Sequence, residues 1–294
     1  MTPGDYQYLC KLLKERSGLI LAADKQYLVE SRLMPVARKA GLANITDLCG
    51  KMKMGGEALI ESVVEAMTTN ETFFFRDKMP FDHLTQTMLP AMIKARAARR
   101  SLRIWCAAAS TGQEPYSIAM CIKEMGAQLA GWRIDIVATD LSQEVLEKSK
   151  AGIFSQFEVQ RGLPIQLLIK YFKQIGETWQ ISQEIRGMVQ QKQLNLLQDF
   201  SSLGRFDIIF CRNVLIYFDQ ETKVNIFSRL GNMVESDGYL VLGAAETVVG
   251  LTDVFKPVSD KRGLYMPNAA SKIASPSLVP SMSAAPARAS ALAR

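Results

Sequence analysis

Polar side chains that could bind a ligand follow three apolar runs of the sequence. The run 102–108 precedes a loop of sequence ASTGQEP, and Asp140 ends a second run. Arg212 and Asn213 end a third. If the runs are parallel strands, their carboxyl ends meet at one edge of a sheet, where open α/β sheets bind ligands. We therefore expect these side chains to share one site.

The first loop argues against a dinucleotide ligand. A pyrophosphate site needs several glycines for close backbone approach, whereas this loop has only Gly112, and Glu114 would repel a phosphate. A carboxylate suits a cation instead, and S-adenosylmethionine carries an ammonium group and no phosphate. Asp140 could bind both ribose hydroxyls, a role shared by NAD and S-adenosylmethionine sites. The loop therefore favours S-adenosylmethionine over a nicotinamide cofactor, and a methyltransferase over an oxidoreductase.

Both acids have simpler explanations that stay open at this point. Glu114 lies at the start of a predicted helix, where an acid complements the helix dipole without any ligand. Asp140 precedes another, where it could cap the helix or stabilise a turn.

The elements around these residues alternate in type after about Ser101. Strands are predicted at 102–108, 133–140, 206–213 and 237–247, the last after an Asp-Gly turn. Helices are predicted at 114–125 with Pro115 in first position, at 142–152 and at 219–234. This alternation predicts a doubly wound, Rossmann-like α/β domain. Two short alternating runs interrupt it and predict a small β-subdomain at about 170–192.

The first 70 residues have a different pattern. Apolar residues recur with helical spacing at 6–16, 25–39, after Asn44, and at 57–67, which predicts a small all-helical domain. We thus divide the chain into residues 1–70, a methyltransferase domain at 71–268, and a tail at 269–294. Ala, Ser and Pro make up 18 of the 26 tail residues, a composition typical of disorder.

Composition excludes several classes of protein. Of the net charge of +6, the tail supplies three through Lys272, Arg288 and Arg294, and the rest is too dispersed for nucleic-acid binding. The five cysteines lack metal-ligand spacing, and the chain has no apolar run of 18 residues. We expect a cytoplasmic, reduced, monomeric protein with no metal and no membrane insertion.

Five ordered segments identify a family. They are TNETFFFRD, WCAAASTGQEPYSIAM, IVATDLSQEVLEKSKAGIF, FDIIFCRNVLIYFD and DGYLVLGAAE. Together they closely resemble the CheR-type chemotaxis receptor methyltransferases, over roughly residues 5–266. The resemblance implies methyl transfer from S-adenosylmethionine to glutamate side chains in the helical methylation region of cytoplasmic chemoreceptor domains. The products would be glutamate methyl esters and S-adenosylhomocysteine.

The resemblance also implies which residues contact the cofactor. In its motifs, Arg76 would bind the cofactor carboxylate, although a plain surface charge is the alternative. Asn195 and Leu196 would flank the adenine. The full implied set is Asn70, Thr72, Arg76, Glu114, Asp140, Asn195, Leu196, Arg212 and Asn213.

The implied reaction needs little acid–base chemistry. A glutamate is ionised at pH 7 and is itself the nucleophile, so alignment and water exclusion should dominate. Arg76 and Tyr217 are the candidate catalytic residues, with Tyr217 donating to the incoming carboxylate or else only packing. His83, the single histidine, is expected to be structural. A non-catalytic S-adenosylmethionine-binding signalling module remains the alternative function.

An acidic helical substrate predicts a basic docking surface. Residues 25–53 are rich in Lys and Arg, and Lys25, Arg32 and Lys39 recur every seven residues, so they share one helix face. We assign docking to Arg32, Arg38 and Lys39, with a merely solvated face as the alternative. Pro35 could kink this helix. The segment 171–179 has only Gly176 and resembles the family version that works without a receptor C-terminal pentapeptide.

Overall fold

The computed structural model describes residues 1–270 of the chain. The greater part of the predicted Ala/Ser/Pro tail, residues 271–294, lies outside the described residues.

Four helices form the N-terminal part, as predicted. They are α1 Pro3–Ser17, α2 Gln26–Lys39, α3 Ile45–Lys53 and α4 Glu57–Met67. Thr2 and Asp5 form a capping box before α1, and Asn44 caps α3 by accepting from the Asp47 amide at 2.9 Å. The helix α2 continues through Pro35 without a break. Apolar residues from all four helices pack into one cluster.

The rest of the chain, up to residue 270, contains both helices and strands. The helices are α5 Met79–His83, α6 Leu89–Ala95, α7 Gln113–Glu124, α8 Gln143–Ala151, α9 Gln156–Gln160, α10 Ile165–Tyr171, α11 Gln183–Arg186 and α12 Gln220–Met233. The strands are β1 Ser101–Ala107, β2 Arg133–Asp140, β3 Ile153–Ser155, β4 Phe172–Ile175, β5 Thr178–Ile181, β6 Val189–Gln193, β7 Phe206–Cys211, β8 Val234–Leu242, β9 Phe255–Pro257 and β10 Leu264–Pro267.

The main sheet has the order β6-β2-β1-β7-β8-β10-β9. The five strands from β6 to β8 are parallel, and β10 and β9 are antiparallel additions. Successive side chains of β1 point to opposite faces of the sheet, so Ile104 belongs to one apolar cluster and Trp105 to another. The sheet is therefore covered on both faces, as a doubly wound fold requires. The predicted Rossmann-like fold class is confirmed.

A second, three-stranded antiparallel sheet has the order β3-β5-β4. The strands β4 and β5 form the hairpin expected near residue 170. The third strand, Ile153–Ser155, was not predicted because three residues are too few to show a period. A buried Phe154 on β3 packs edge-on against Phe74 at 5.0 Å between ring centroids. This small sheet thus contacts the segment that joins the two parts of the chain.

Two local predictions are wrong. Asp237 and Gly238 do not form a turn but lie within β8, where its register with β7 shifts. A Cβ on Gly238 would lie 2.6 Å from the Asp207 carbonyl oxygen, so the glycine allows a close approach at a bulge, a second common meaning of Asp-Gly. Pro115 is the third residue of α7, which begins at Gln113.

Candidate functional site

One cleft gathers the residues that the sequence pointed to. It lies at the carboxyl ends of β1, β2, β6 and β7 and is closed on one side by the segment after α4. Its lining includes every predicted cofactor contact and both candidate catalytic residues, namely Asn70, Thr72, Arg76, Glu114, Asp140, Asn195, Leu196, Arg212, Asn213 and Tyr217. His83 does not line it.

Asp140 is buried at the end of β2, between two loops that its carboxylate holds together. Its Oδ2 accepts from the Ser110 amide at 2.8 Å, and its Oδ1 accepts from the Ser142 amide at 3.0 Å. Burial raises the pKa of Asp140, and these amide hydrogen bonds oppose that rise. Each carboxylate oxygen has a further lone pair for a ligand hydroxyl.

Both serines also donate hydrogen bonds to the N-terminal part of the chain, Ser110 to the segment after α4 and Ser142 to α4 itself. The Ser110 hydroxyl donates to the Asn70 carbonyl at 2.8 Å, and the Ser142 hydroxyl donates to Glu65 on α4 at 2.6 Å. Ser142 is the predicted N-cap of α8. Its contact with Glu65 was not predicted, since nothing local in the sequence links residues 77 positions apart.

Glu114 and Arg212 form a buried ion pair at the base of the cleft. The Arg212 Nη1 donates to Glu114 Oε2 at 2.7 Å, and its Nη2 donates to Asp77 at 2.8 Å. Burial raises the pKa of Glu114, while the Arg212 charge opposes that effect. The second carboxylate oxygen, Oε1, accepts no hydrogen bond from residues 1–270. Glu114 therefore keeps one oxygen for a cationic ligand group.

Arg76 lies half-buried at the cleft wall. Its Nη1 donates to the Glu71 carbonyl at 2.7 Å, and its guanidinium lies 5.7 Å from the centre of the Phe73 ring. The Arg161 guanidinium lies 4.4 Å from the centre of the same ring and forms an ion pair with Glu71 at 2.6 Å. The backbone thus uses one Arg76 donor, and the guanidinium has others left.

Asn195 and Leu196 occupy the opposite wall, where Asn195 has a structural task. Its Nδ2 donates to the Arg16 carbonyl at the end of α1 at 2.6 Å, and its Oδ1 accepts from the Leu197 amide at 3.0 Å. Leu196 is buried and supplies apolar surface to the cleft.

Glu246 organises the loop after β7 and was missed by the sequence reasoning. Its Oε2 accepts from the amides of Asn213 and Gly243, and its Oε1 from those of Val214 and Leu215, at 2.7 to 3.0 Å. The signal was available, because Glu246 ends the segment DGYLVLGAAE. The sequence predicts a strand over 237–247, whereas β8 ends at Leu242 and leaves Glu246 in the following loop.

Strained backbone is concentrated around the cleft. Positive φ occurs at non-glycine residues in the joining segment, in the loop after β1 and in the loop after β7, at Phe75, Asp77, Lys78, Ala108, Ser110 and Asn213. Such conformations cost about 1–3 kcal/mol each and persist where the surroundings enforce them, often at functional sites. The cleft therefore has the backbone character of a ligand site.

The three predicted docking residues differ in their surroundings. Arg38 and Lys39 are exposed near the end of α2 and have no ion pair within residues 1–270. Arg32 is half-buried, and its guanidinium donates to the Met67 and Thr68 carbonyls at 2.7 and 2.9 Å. The seven-residue spacing that relates Arg32 to Lys39 thus does not give them a common environment.

Residues 1–270 hold no group of three or more His, Cys, Asp or Glu side chains arranged to bind a metal ion. None of their helices is long and apolar enough to cross a membrane.

Comparison with known families decides the class of the chain. The family model described as "CheR methyltransferase, SAM binding domain" matches residues 70–264, and "CheR methyltransferase, all-alpha domain" matches residues 4–68. The chain belongs to the CheR methyltransferase family. Membership confirms the resemblance drawn from the five segments. It also assigns residues 70–264 to an S-adenosylmethionine-binding methyltransferase domain.

Curated relatives agree with this assignment. The "Chemotaxis protein methyltransferase 1" of Pseudomonas aeruginosa is 42% identical over 266 residues, which cover 88% of this chain and 96% of that protein. The protein of the same name in Vibrio cholerae is 39% identical over 264 residues, with 88% and 95% covered. The "Chemotaxis protein methyltransferase" of Salmonella typhimurium is 33% identical, with 87% and 88% covered.

The cleft fits the cofactor of the CheR family in its chemistry. Two buried carboxylates, Asp140 and Glu114, suit a ribose and an ammonium group, and both still have acceptor capacity. Arg76 has guanidinium donors left for a carboxylate. Leu196 offers an apolar surface for a ring.

Proposed function

We propose that this protein transfers a methyl group from S-adenosylmethionine to glutamate side chains of methyl-accepting chemotaxis receptors. The products are glutamate methyl esters and S-adenosylhomocysteine, and the reaction takes place in the cytoplasm on a monomeric enzyme. The observation that carries the proposal is that ten predicted residues from five segments meet in one cleft. Membership of the CheR family and the names of the curated relatives support the substrate class.

Each wall of the cleft has a separate task in holding the cofactor. The Asp140 carboxylate accepts hydrogen bonds from the ribose hydroxyls, and the Glu114 carboxylate accepts them from the ammonium group. Arg76 donates to the carboxylate as a charge-assisted pair. Asn195 and Leu196 flank the adenine, with Asn195 also fixing the wall to α1.

The chain itself has three tasks in the reaction. When bound, S-adenosylmethionine supplies a methyl group activated by a sulfonium charge. The cleft excludes water from this group and admits one carboxylate. Most of the rate acceleration then comes from in-line alignment and desolvation. Tyr217 orients that carboxylate by donating a hydrogen bond. No general base is needed, because a glutamate is ionised at pH 7.

We predict that Tyr217→Phe lowers kcat for receptor methylation roughly tenfold, the effect of one lost hydrogen bond to a charged group. The affinity for S-adenosylhomocysteine should change much less. The buried Tyr239, which does not line the cleft, provides a matched control as Tyr239→Phe. An unchanged kcat in Tyr217→Phe would remove this hydroxyl from the mechanism.

Docking of an acidic receptor helix is assigned to the exposed end of α2. We predict that the double reversal Arg38→Glu and Lys39→Glu lowers kcat/KM for the receptor roughly tenfold, with the loss shrinking at high salt. Affinity for S-adenosylhomocysteine should stay the same. Reversal of the exposed Lys94 and Lys256 makes the same change in net charge elsewhere. Equal losses in both double variants would show that only net charge matters.

The short hairpin of β4 and β5 bears on receptor tethering. We propose that the enzyme works without a receptor C-terminal pentapeptide, because Gly176 lies in a two-residue turn between β4 and β5. Methylation rates should therefore be the same for a receptor with and without its last five residues. Tight binding of that pentapeptide in a calorimetric titration would contradict the proposal.

The function is tested by transfer of a labelled methyl group from S-adenosylmethionine to a purified receptor cytoplasmic fragment. We expect label on the fragment that is released as methanol by mild base, the property of a carboxyl methyl ester. Cofactor binding without any transfer would instead support the alternative, a non-catalytic signalling module.

A further inference from the structure

Arg32 connects α2 to the segment that closes the cofactor cleft. Its Nη1 donates to the carbonyls of Met67 and Thr68, and its Nη2 donates to the Thr69 hydroxyl at 3.1 Å. The helix α4 ends at Met67, so these carbonyls are among those that lack partners within the helix. A guanidinium there satisfies the carbonyls and complements the negative end of the helix dipole.

A chain of hydrogen bonds continues from this point to the cofactor site. The Asn70 Nδ2 donates to the Thr68 hydroxyl at 3.2 Å, and the Ser110 hydroxyl donates to the Asn70 carbonyl at 2.8 Å. The Ser110 amide then donates to Asp140 at 2.8 Å. Thr68, Asn70, Ser110 and Asp140 all line the cleft. Arg32 does not line the cleft, but its guanidinium donates to the carbonyl of Thr68, the first residue of this series.

The backbone of the series needs external support. Ser110 has a φ of 50°, which a non-glycine residue adopts only under constraint. Its hydroxyl and amide are the two groups that connect Asn70 to Asp140. Displacement of residues 68–70 would therefore act on the loop that sets the Asp140 carboxylate.

We propose that Arg32 is a positioning residue for the cofactor site, which acts through Thr68, Asn70 and Ser110 on Asp140. The neighbouring Arg38 has no such contact and belongs to the exposed end of α2. The proposal depends on cofactor binding by the CheR family domain and not on the identity of the methylated substrate. Its failure would consequently leave the proposed receptor methylation untouched.

The first test is a calorimetric titration of the full chain with S-adenosylhomocysteine. Arg32→Ala should weaken binding roughly fivefold, at the lower end of typical coupling between sites. Arg32→Lys should recover part of the loss, since an ammonium can still donate to the Met67 and Thr68 carbonyls. Glu30→Ala, which truncates an exposed side chain of the same helix, should bind like the wild type.

The second test is a double-mutant cycle with Ser110→Ala, which removes the hydroxyl that bonds Asn70. If Arg32 acts through this hydroxyl, Arg32→Ala should weaken binding less than twofold in the Ser110→Ala background. Amide exchange at Ser110 should also be faster in Arg32→Ala than in Glu30→Ala. If Arg32→Ala does not fold, Arg32→Gln takes its place with the same expectations.

Two results would overturn the proposal. One is equal affinity for S-adenosylhomocysteine in Arg32→Ala, or its Gln substitute, and Glu30→Ala. The other is a loss of affinity in Arg32→Ala that is equally large with and without the Ser110 hydroxyl. That result would mean that Arg32 only stabilises the helices in general.

Discussion

Replacing Arg212 with methionine is expected to lower the free energy of unfolding by about 3–5 kcal/mol, the usual effect of removing one partner of a buried ion pair. The Arg212 side chain is 1% exposed and lies between Glu114 and Asp77. Without it, Glu114 is a buried carboxylate with no ion pair among residues 1–270, although the Arg76 charge still acts on it. Cofactor affinity should fall as well, because an unpaired Glu114 will take up a proton and lose its attraction for an ammonium group.

Chemical denaturation at several pH values measures this effect. Burial already raises the pKa of Glu114, and the loss of Arg212 should raise it further. A carboxyl whose pKa is raised by folding favours the native state at low pH, and this contribution disappears as the pH rises through that pKa. The deficit of Arg212→Met should therefore be constant above the raised pKa and shrink as the pH falls through it toward the ordinary pKa of a glutamate.

Arg161→Met provides the matched control. Arg161 also forms an ion pair, with Glu71 at 2.6 Å, but its side chain is 40% exposed. Exposed pairs contribute about 0–1 kcal/mol, so this variant should stay close to the wild type. If Arg212→Met and Arg161→Met lowered the free energy of unfolding by similar amounts at pH 7, burial of the ion pair with Glu114 would not be the cause of the loss.

Replacing Glu246 with glutamine is expected to lower kcat more than tenfold. It should also lower the free energy of unfolding by about 2 kcal/mol. Each Glu246 carboxylate oxygen accepts from two backbone amides. Glutamine has one carbonyl oxygen and an NH₂ group, so one pair of amides must lose its acceptor and face a donor. Unsatisfied amides cost about 1–3 kcal/mol each when buried, and this loop is half-buried.

The catalytic loss follows from what the loop carries. Asn213 has a φ of 58°, and the Glu246 carboxylate fixes its amide and the two that follow. Arg212 precedes this turn and Tyr217 follows it. Steady-state kinetics and thermal unfolding of Glu246→Gln measure both effects. Glu221→Gln, an exposed change at the start of α12, is the control, and equal kinetics for the two variants would contradict the role of Glu246.

Much of the fold could be predicted because it depends on local sequence. The strand 133–140 and the helix between Ser142 and Gly152 have the predicted bounds, since apolar period and capping residues act over a few positions. The turn predicted at the Asp-Gly pair of β8 was wrong because the same dipeptide occurs in both turns and bulges. Only the partner strand, with its Asp207 carbonyl close to Gly238, distinguishes the two.

The site was predicted residue by residue but not in its internal contacts. Glu114 and Arg212 were assigned separately to the cofactor, whereas the structure pairs them across 98 positions of sequence. Arg32 was grouped with Lys39 by helical spacing, yet spacing along α2 cannot show that α4 ends beside one of them. Interactions of this kind depend on tertiary packing.

Mass spectrometry of a receptor cytoplasmic fragment, incubated with the full chain and S-adenosylmethionine, tests the central claim most directly. We predict that glutamates of the receptor's helical methylation region gain the mass of one CH₂ group, that mild base removes it, and that Asp140→Ala abolishes the change. Unmodified glutamates, with cofactor binding intact and the same fragment methylated by a known CheR enzyme, would contradict the proposed function.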